Sequence, residues 1–311
     1  MKILFMGTPD FALFSLKELC ENEYNVIGVV TQPDKPKGRG YVLTPPPVKS
    51  YALEQGIPVY QPTSLRTEEF ASLLASLDPD LIAVVAYGKI LPKNVLDYPK
   101  YGCVNVHGSL LPKYRGASPM QSAIINGDKV TGITTMYMAE GLDTGDMLLK
   151  AECEIAENDN FEDIHDRLGL LGASLLRKTV DGLEKGEIAP VAQDHSLATH
   201  TAKILKDDCA IDFSKDCDTV HNLIRGLSPI PLSFTHTPDG RLLKVVKSEI
   251  CERESQNDNA GQVLSIENGK ILVACGKGSI NILTVLPEGK GRMSAADFIR
   301  GRKISLGDVL S

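Results

Sequence analysis

A carboxamide and an imidazole stand two residues apart at the end of a short apolar run. Residues 102–106 read GCVNV and are followed by Gly and Pro, which predicts a buried strand that breaks into a loop. Because side chains alternate along a strand, we expect Asn105 and His107 on one face. An amide can hold an oxyanion that develops on a carbonyl group, and an imidazole can carry a proton near neutral pH. The pair indicates carbonyl chemistry, and a buried structural histidine is the alternative.

Two loops follow this pair. The first reads SLLPKYRGA over 109–117, and the second, acidic and glycine-rich, reads AEGLDTGD over 139–146. Together with the Asn-x-His strand end, they resemble the family of formyltransferases that use 10-formyltetrahydrofolate. Three motifs in the same order over about forty residues are far more specific than any one of them.

The resemblance implies formyl transfer from 10-formyltetrahydrofolate to the α-amine of methionyl-initiator tRNA. Asn105 would hold the oxyanion of the attacked formyl group, and His107 would transfer a proton and stabilise charge. Asp143 would keep His107 charged or relay a proton through water. From the residues alone, Asp143 could instead cap the turn that follows it.

The resemblance also places the pterin ring of the folate near the loop that follows residues 80–86 and near 139–143. The folate-binding residues that it implies are Lys89, Ile90, Leu91, Ser109, Leu110, Leu111, Pro112, Glu140 and Gly141. Ordinary packing remains the alternative for Ile90 and Leu91. The chemistry requires no metal, and no His/Cys/Asp cluster has ligand spacing.

A basic loop interrupts the acidic first part of the chain at 31–47. It exceeds fifteen residues, is rich in Gly and Pro, and contributes Lys35, Lys37 and Arg39. Loops of this length are usually functional or disordered, and a solvated linker is the alternative. The resemblance implies insertion into the acceptor end of a tRNA, with Arg39 at the family's key arginine position.

The alternation of strand and helix patterns before residue 186 predicts a doubly wound, mostly parallel Rossmann-like sheet. Ligands of such sheets lie beyond the carboxyl ends of the strands. The first helix is expected over 11–20, with Thr8 or Asp10 as its cap. No G-x-G-x-x-G is present, so a dinucleotide site is not expected.

Short alternating runs after residue 210 predict a small β-barrel, and the resembled family carries an OB-like domain here. Arg292, Arg300 and Arg302 form a second basic cluster expected to contact tRNA, with a solvated helix as the alternative. The chain has no Trp, which weakens a base-stacking role for this domain. We expect a catalytic domain at 1–186, a linker at 187–208 and a barrel-like tRNA-binding domain at 209–311.

Length and composition are those of an ordinary globular protein: 311 residues, 42% hydrophobic and 23% charged. No signal-peptide pattern opens the chain, and the longest apolar run, 81–86, is far shorter than the roughly twenty residues of a membrane span. The seven cysteines form no CxxC pair, which argues against a disulfide framework. We expect a cytoplasmic monomer with free thiols and no membrane role.

The formal net charge of −7 argues against a surface that binds nucleic acid everywhere. From Lys206 onward lie 14 of the 33 basic and 14 of the 40 acidic residues, which leaves 19 basic and 26 acidic residues before it. An RNA partner would therefore need local basic patches.

Three other functions compete with tRNA formylation. A formyltransferase for a small amine, such as glycinamide ribonucleotide or an amino sugar, would not need the 31–47 loop or the barrel. A non-catalytic RNA-binding protein has no use for Asn105, His107 and Asp143 together. A dehydrogenase would need the glycine fingerprint that is missing here.

Overall fold

The structure is a computed structural model that describes residues 1–37, 41–251 and 259–311. Arg39, the predicted tRNA-contacting arginine, lies outside the described residues. The helices and strands follow one another as β1 (Ile3–Gly7), α1 (Asp10–Glu21), β2 (Val26–Val30), β3 (Lys35–Lys37), β4 (Val42–Thr44), α2 (Pro47–Glu54), β5 (Val59–Tyr60), α3 (Glu68–Leu77), β6 (Leu81–Val85), α4 (Lys93–Leu96), β7 (Cys103–His107), β8 (Arg115–Gly116), α5 (Pro119–Ile125), β9 (Val130–Tyr137), β10 (Met147–Glu154), α6 (Phe161–Lys185), β11 (His200–Thr201), α7 (Cys217–Gly226), β12 (Ser233–His236), β13 (Leu242–Cys251), β14 (Val263–Ser265), β15 (Ile271–Ala274), β16 (Ser279–Pro287), β17 (Met293–Ser294) and α8 (Ala295–Arg300).

The chain forms two compact units. The first unit comprises Met1–Gly116, Thr131–Cys153 and His165–His200. The second unit comprises Ala117–Val130, Glu154–Ile164 and Thr201–Ser311. The second unit thus takes two segments from the region before residue 186, and the domain bounds expected from the sequence stay a prediction.

A seven-stranded sheet in the order β10-β9-β7-β6-β1-β2-β5 forms the centre of the first unit. The pairs from β5 to β7 are parallel, whereas β9 runs antiparallel to β7. All five residues of β1 and all five of β6 are buried, as expected for apolar runs inside a parallel sheet. The predicted mostly parallel, Rossmann-like sheet is confirmed.

The parallel strands β1, β6 and β7 end at one edge of this sheet. There β7 lies beside β9, with His107 opposite the buried Thr134. The Thr134 hydroxyl donates to the Ser109 carbonyl at 2.7 Å and accepts from the Leu111 amide at 3.0 Å. This strand therefore holds the start of the 109–117 loop against the sheet.

Of the two predicted caps of α1, Thr8 is wrong. The helix begins at Asp10 after Pro9, which offers no side-chain cap, and the Asp10 carboxylate accepts from the Phe11 amide at 3.0 Å. The Thr8 hydroxyl donates to the Tyr87 carbonyl at 3.2 Å and accepts from the Gln32 amide at 3.3 Å. Thr8 joins three strand-end loops, and these long-range contacts take the place of a local cap.

The small β-barrel predicted after residue 210 is found in the second unit as an antiparallel half-barrel, in the order β12-β13-β16-β15-β14 with β17 beside β16. Its core includes Phe213, Val220, Ile224, Val245 and Ile282. Within the described ranges, no helix has both the length and the apolar character that a membrane span requires.

Two basic side chains of α7 are buried one helical turn apart. His221, only 2% exposed, donates from Nε2 to the Glu157 carbonyl at 3.2 Å, and its Nδ1 accepts from the Ser248 hydroxyl at 2.9 Å. Arg225 donates to the carbonyls of Ala156 and Asp159. Burial is the main cause that lowers the pKa of His221, so the hydrogen bonds are those of a neutral ring.

The pH dependence of stability tests this neutral state. The unfolded histidine takes up a proton near pH 6.5, whereas the folded ring resists it, so stability falls as the pH drops below 6.5. A His221→Gln variant lacks the imidazole that titrates. We expect the variant to be less stable than wild type at about pH 7.5, and the difference to shrink toward about pH 5. Urea unfolding measures the difference, and a constant or widening difference contradicts the neutral state.

Candidate active site

His107 lies at the carboxyl end of β7, 6% exposed, with oxygen acceptors on two sides. Its Nε2 is 3.0 Å from the Tyr114 carbonyl oxygen. A carbonyl only accepts, so this geometry assigns the hydrogen to Nε2. Its Nδ1 is 3.7 Å from Asp143 Oδ2, beyond the length of a hydrogen bond. Nδ1 is therefore the ring nitrogen that can accept a proton, and a carboxylate lies next to it.

Asn105 lies two residues before His107 on the same strand and therefore on the same face of the sheet. It is half-buried, opposite Val84 of β6 and Met136 of β9. Within the described part of the chain, no hydrogen bond occupies its carboxamide. Its two N–H groups can donate to an oxygen of a bound molecule.

Asp143 joins the two loops that the sequence singled out. Its carboxylate accepts from the Gly116 amide at 2.8 Å, which spans 27 positions of the chain. The backbone at Asp143 is left-handed, with φ 51°. Two residues on, Gly145 leaves no room for a side chain, because a Cβ there would lie 1.9 Å from the Tyr137 carbonyl oxygen. Asp143 thus bridges to the 109–117 loop, and the structure brings it together with His107.

Sequence reasoning missed the residues behind this bridge. Gln193 donates from Nε2 to the carbonyls of Asp143 and Gly145 at 2.8 and 2.7 Å. Arg115 donates from Nε and Nη2 to Gln193 Oε1 at 3.0 and 2.7 Å. Thr199 accepts the Tyr114 amide on its hydroxyl and the Arg115 amide on its carbonyl, both at 2.8 Å. Gln193 and Thr199 lie in the predicted linker, where composition gives no signal of a role in a site.

A cleft of about 370 Å³ lies in the first unit, a volume typical of small-molecule sites. Its lining residues are Arg66, Ile90, Leu91, Pro92, Lys93 and Glu140. Three of them, Ile90, Leu91 and Glu140, are predicted folate-binding residues. Ile90 is 74% exposed, which argues against core packing, whereas Leu91 is buried. Arg66 was missed, and its place in the loop between β5 and α3 is the signal that could have found it.

The other predicted folate-binding residues do not line this cleft. Lys89 donates from Nζ to the carbonyls of Pro62 and Thr63 at 2.9 and 2.8 Å. The buried Ser109 hydroxyl donates to the Lys113 carbonyl, and the Leu111 side chain is buried. The remaining predicted residues, all partly accessible, are Leu110, Pro112 and Gly141. All six stay predictions as folate contacts.

The basic 31–47 loop is anchored at its base. Lys49 Nζ lies 2.8 Å from both carboxylate oxygens of Asp34 and from Gln61 Oε1. The hydrogen bonds from Lys49 and Gln61 lower the pKa of Asp34. Lys35 is exposed on β3, which pairs with β4, and Lys37 ends that strand. The anchor fixes the start of a loop whose centre carries the predicted arginine.

The second predicted basic cluster lies in the second unit. Arg292, Arg300 and Arg302 are all exposed. Arg300 donates to Asp297 on the same helix, so part of its charge is locally compensated. Ile230 is exposed, and its side chain offers no ring for stacking. Within the described ranges, no group of His, Cys, Asp and Glu side chains could hold a metal ion.

Comparisons with known proteins cover both parts of the chain. The family model described as formyl transferase matches residues 1–180, and the model described as formyl transferase, C-terminal domain, matches residues 203–303. Among solved structures, an N-formyltransferase from Helicobacter canadensis, in complex with folinic acid and dTDP-3-aminofucose, has a TM-score of 0.68 at 19% identity, over 91% of this chain and 98% of that one. HypX from Aquifex aeolicus, in complex with tetrahydrofolic acid, has a TM-score of 0.63 at 16% identity, over 96% of this chain and 47% of that one. These two likenesses show the fold.

Two full-length relatives are much more similar in sequence. A methionyl-tRNA formyltransferase from Acetivibrio thermocellus is 48% identical over 310 residues, which cover 100% of this chain and 99% of the relative. A methionyl-tRNA formyltransferase from Bacillus subtilis is 49% identical over 311 residues, which cover 99% and 97%. The family expected from the three motifs is confirmed: the chain belongs to the formyl transferases and, within them, to the methionyl-tRNA formyltransferase family.

Proposed function

We propose that this chain transfers the formyl group of 10-formyltetrahydrofolate to the α-amine of methionyl-initiator tRNA, in the cytoplasm and as a monomer. The observation that carries the proposal is the arrangement around His107. Its Nε2–H is held by the Tyr114 carbonyl, its Nδ1 faces Asp143, and the unpartnered amide of Asn105 lies on the same strand face. These groups match the needs of acyl transfer to an amine.

The nucleophile requires positioning more than activation. A free α-amine has a pKa near 8, and the aminoacyl ester lowers it, so much of the amine is neutral at physiological pH. Its nitrogen attacks the formyl carbon, a C–N bond forms, and the carbonyl oxygen becomes an oxyanion. The N–H groups of Asn105 donate to that oxyanion in a largely buried site, where such a donor is worth more than in water.

The proton of the attacking amine then passes to Nδ1 of His107. The imidazolium that forms is paired with the Asp143 carboxylate, so this attraction is strongest once the proton has moved. Collapse of the tetrahedral intermediate breaks the bond between the formyl carbon and N10 of the folate. The proton on Nδ1 goes to N10, tetrahydrofolate leaves, and His107 returns to its neutral form.

The cleft beside Ile90 is the proposed seat of the folate. Ile90 offers an exposed apolar side chain, Arg66 and Lys93 add positive charge to the lining, and Glu140 adds one negative charge. Lys93 is also paired with Asp97 at 2.8 Å, so Arg66 is the cation proposed for a folate carboxylate. Folate combines flat aromatic rings with carboxylates, and both parts find matching chemistry in this lining. Leu110, Pro112 and Gly141 are proposed to contact the same molecule from the site loops.

The tRNA is proposed to meet local basic segments of an acidic protein. Lys35, Lys37 and Arg39 belong to the first of them, and Arg292, Arg300 and Arg302 to the second. The net charge of −7 gives no general attraction to phosphate, so these segments would supply it.

An acceptor competition tests the proposal. The purified chain is given 10-formyltetrahydrofolate, methionyl-initiator tRNA and glycinamide ribonucleotide together, and both formylated products are measured. We expect formyl-methionyl-tRNA as the product. Formylation of glycinamide ribonucleotide in preference to the tRNA would replace the proposed acceptor with a small amine.

Removal of the proton carrier or of the oxyanion donor should abolish most turnover. We expect His107→Gln, which keeps a donor for the Tyr114 carbonyl, and Asn105→Ala each to lower kcat by about two to four decades. Single-turnover kinetics measures the effect, with His236→Gln as the control histidine. Near-normal turnover in either variant would remove that residue from the mechanism.

An Asp143→Asn substitution removes the charge of the side chain but keeps its shape. Asn at this position keeps an oxygen for the Gly116 amide but no longer pairs with a protonated His107, so we expect Asp143→Asn to lower kcat by about two decades. Asp212→Asn, which changes a turn carboxylate that accepts the Ser214 amide, is the matched control. If folate binding weakened while turnover of the bound substrate stayed normal, Asp143 would be a pocket residue only.

Arg39 tests the basic loop. A contact to tRNA phosphate makes binding depend on salt, so Arg39→Ala should raise KM for methionyl-tRNA and flatten its salt dependence by about one unit of log–log slope. Circular dichroism and folate binding should stay unchanged. Lys178→Ala, on the exposed face of α6, is the control. If the Arg39→Ala variant showed wild-type kinetics at several salt concentrations, the 31–47 loop would be a linker only.

A further inference from the structure

The segment from Gln193 to Thr199 contacts both loops that carry the proposed mechanism. Gln193 holds the 139–146 loop through the carbonyls of Asp143 and Gly145. Thr199 holds the 109–117 loop through the amides of Tyr114 and Arg115. One segment thus supports the carbonyl that orients His107 and the carboxylate that faces its other nitrogen.

The orientation of the Gln193 amide is fixed by its partners. Arg115 is 3% exposed, and its guanidinium donates through Nε and Nη2 to Gln193 Oε1 and through Nη2 to His195 Nδ1 at 3.1 Å. No carboxylate of a described residue pairs with this arginine. Because a guanidinium only donates, Oε1 must face Arg115, and Nε2 must face the two loop carbonyls.

The candidate site tolerates little movement of the 139–146 loop. Asp143 Oδ2 lies 3.7 Å from His107 Nδ1, so a small rotation of the backbone either closes or widens the gap. The Gln193 bonds attach to the Asp143 carbonyl itself and to Gly145, whose position next to the Tyr137 carbonyl admits no side chain. A misplacement of about 1 Å in such a site can cost about a hundredfold in rate.

We propose that Gln193 is a positioning residue for formyl transfer, which sets the place of the Asp143 carboxylate relative to His107. The expected effect of Gln193 on kcat rests on the proposed function. Arg115 acts behind it by holding the Gln193 amide in the orientation that donates to the loop.

A substitution at one atom separates the two contacts of Gln193. Gln193→Glu keeps an oxygen for Arg115 but replaces the donor to the carbonyls with a second acceptor. We expect it to lower kcat by about 10- to 100-fold while KM for both substrates stays within about threefold. We also expect faster amide hydrogen exchange in a peptide that covers 139–146. Gln193→Leu should do the same and should also lose the Arg115 contact.

The matched control is Asn222→Leu in the second unit. Asn222 Oδ1 accepts from the buried Arg225 at 2.8 Å, so this variant removes an amide from a buried arginine elsewhere. It should leave kcat and exchange of 139–146 at wild-type values. Wild-type kcat and exchange in Gln193→Glu would overturn the proposal, as would equal changes in Asn222→Leu. If wild type formylated no methionyl-tRNA, the proposed function would fail, and hydrogen exchange would still decide whether Gln193 holds the loop.

Discussion

The His107 ring lies between two oxygen acceptors, and this arrangement determines which of its nitrogens is available to accept a proton in the proposed reaction. The Tyr114 carbonyl fixes the hydrogen on Nε2, and the Asp143 carboxylate lies 3.7 Å from Nδ1. In the neutral ring, a lone pair faces a carboxylate, which is unfavourable. Once Nδ1 takes a proton, the same contact becomes an attraction between opposite charges. In the proposed mechanism, this contact would stabilise the imidazolium that forms when the amine gives up its proton.

Both acceptors occupy backbone conformations that non-glycine residues rarely adopt. Tyr114 has φ 59° and Asp143 has φ 51°. Left-handed backbone at such residues costs about 1–3 kcal/mol each and persists only where neighbouring contacts hold it. Thr199 supplies those contacts for the first loop, and Gln193 supplies them for the second. The strain in the two loops and the segment that supports them thus belong to one arrangement.

Local pattern predicted the parts of the site that are local. A two-residue period placed Asn105 and His107 on one strand face. The buried run at 81–85 identified a central strand, and the loop after it contributes Ile90 and Leu91 to the cleft. The resemblance to formyltransferases added Asp143, which no period or spacing connects to His107. The basic character of 31–47 was also evident, although the structure does not describe its central arginine.

Contacts between residues far apart in the chain could not be predicted from local sequence pattern. Gln193 acts 50 positions away from Asp143, in a polar stretch whose composition is that of a linker. Thr8 had the residue type of a helix cap, yet its hydroxyl joins the Tyr87 and Gln32 backbones. In both cases a tertiary hydrogen bond determines the role of the side chain, and a tertiary contact leaves no trace in local spacing.

The protonation pattern of the His107 ring tests the account most directly. Long-range ¹H–¹⁵N correlation spectra of the uniformly labelled protein, with the ring assigned through the His107→Gln variant, report which nitrogen carries hydrogen. The account predicts hydrogen on Nε2 in the neutral ring and uptake of the second proton at Nδ1. A neutral ring with its hydrogen on Nδ1 would contradict it, because the nitrogen beside Asp143 could then no longer accept the proton of the amine.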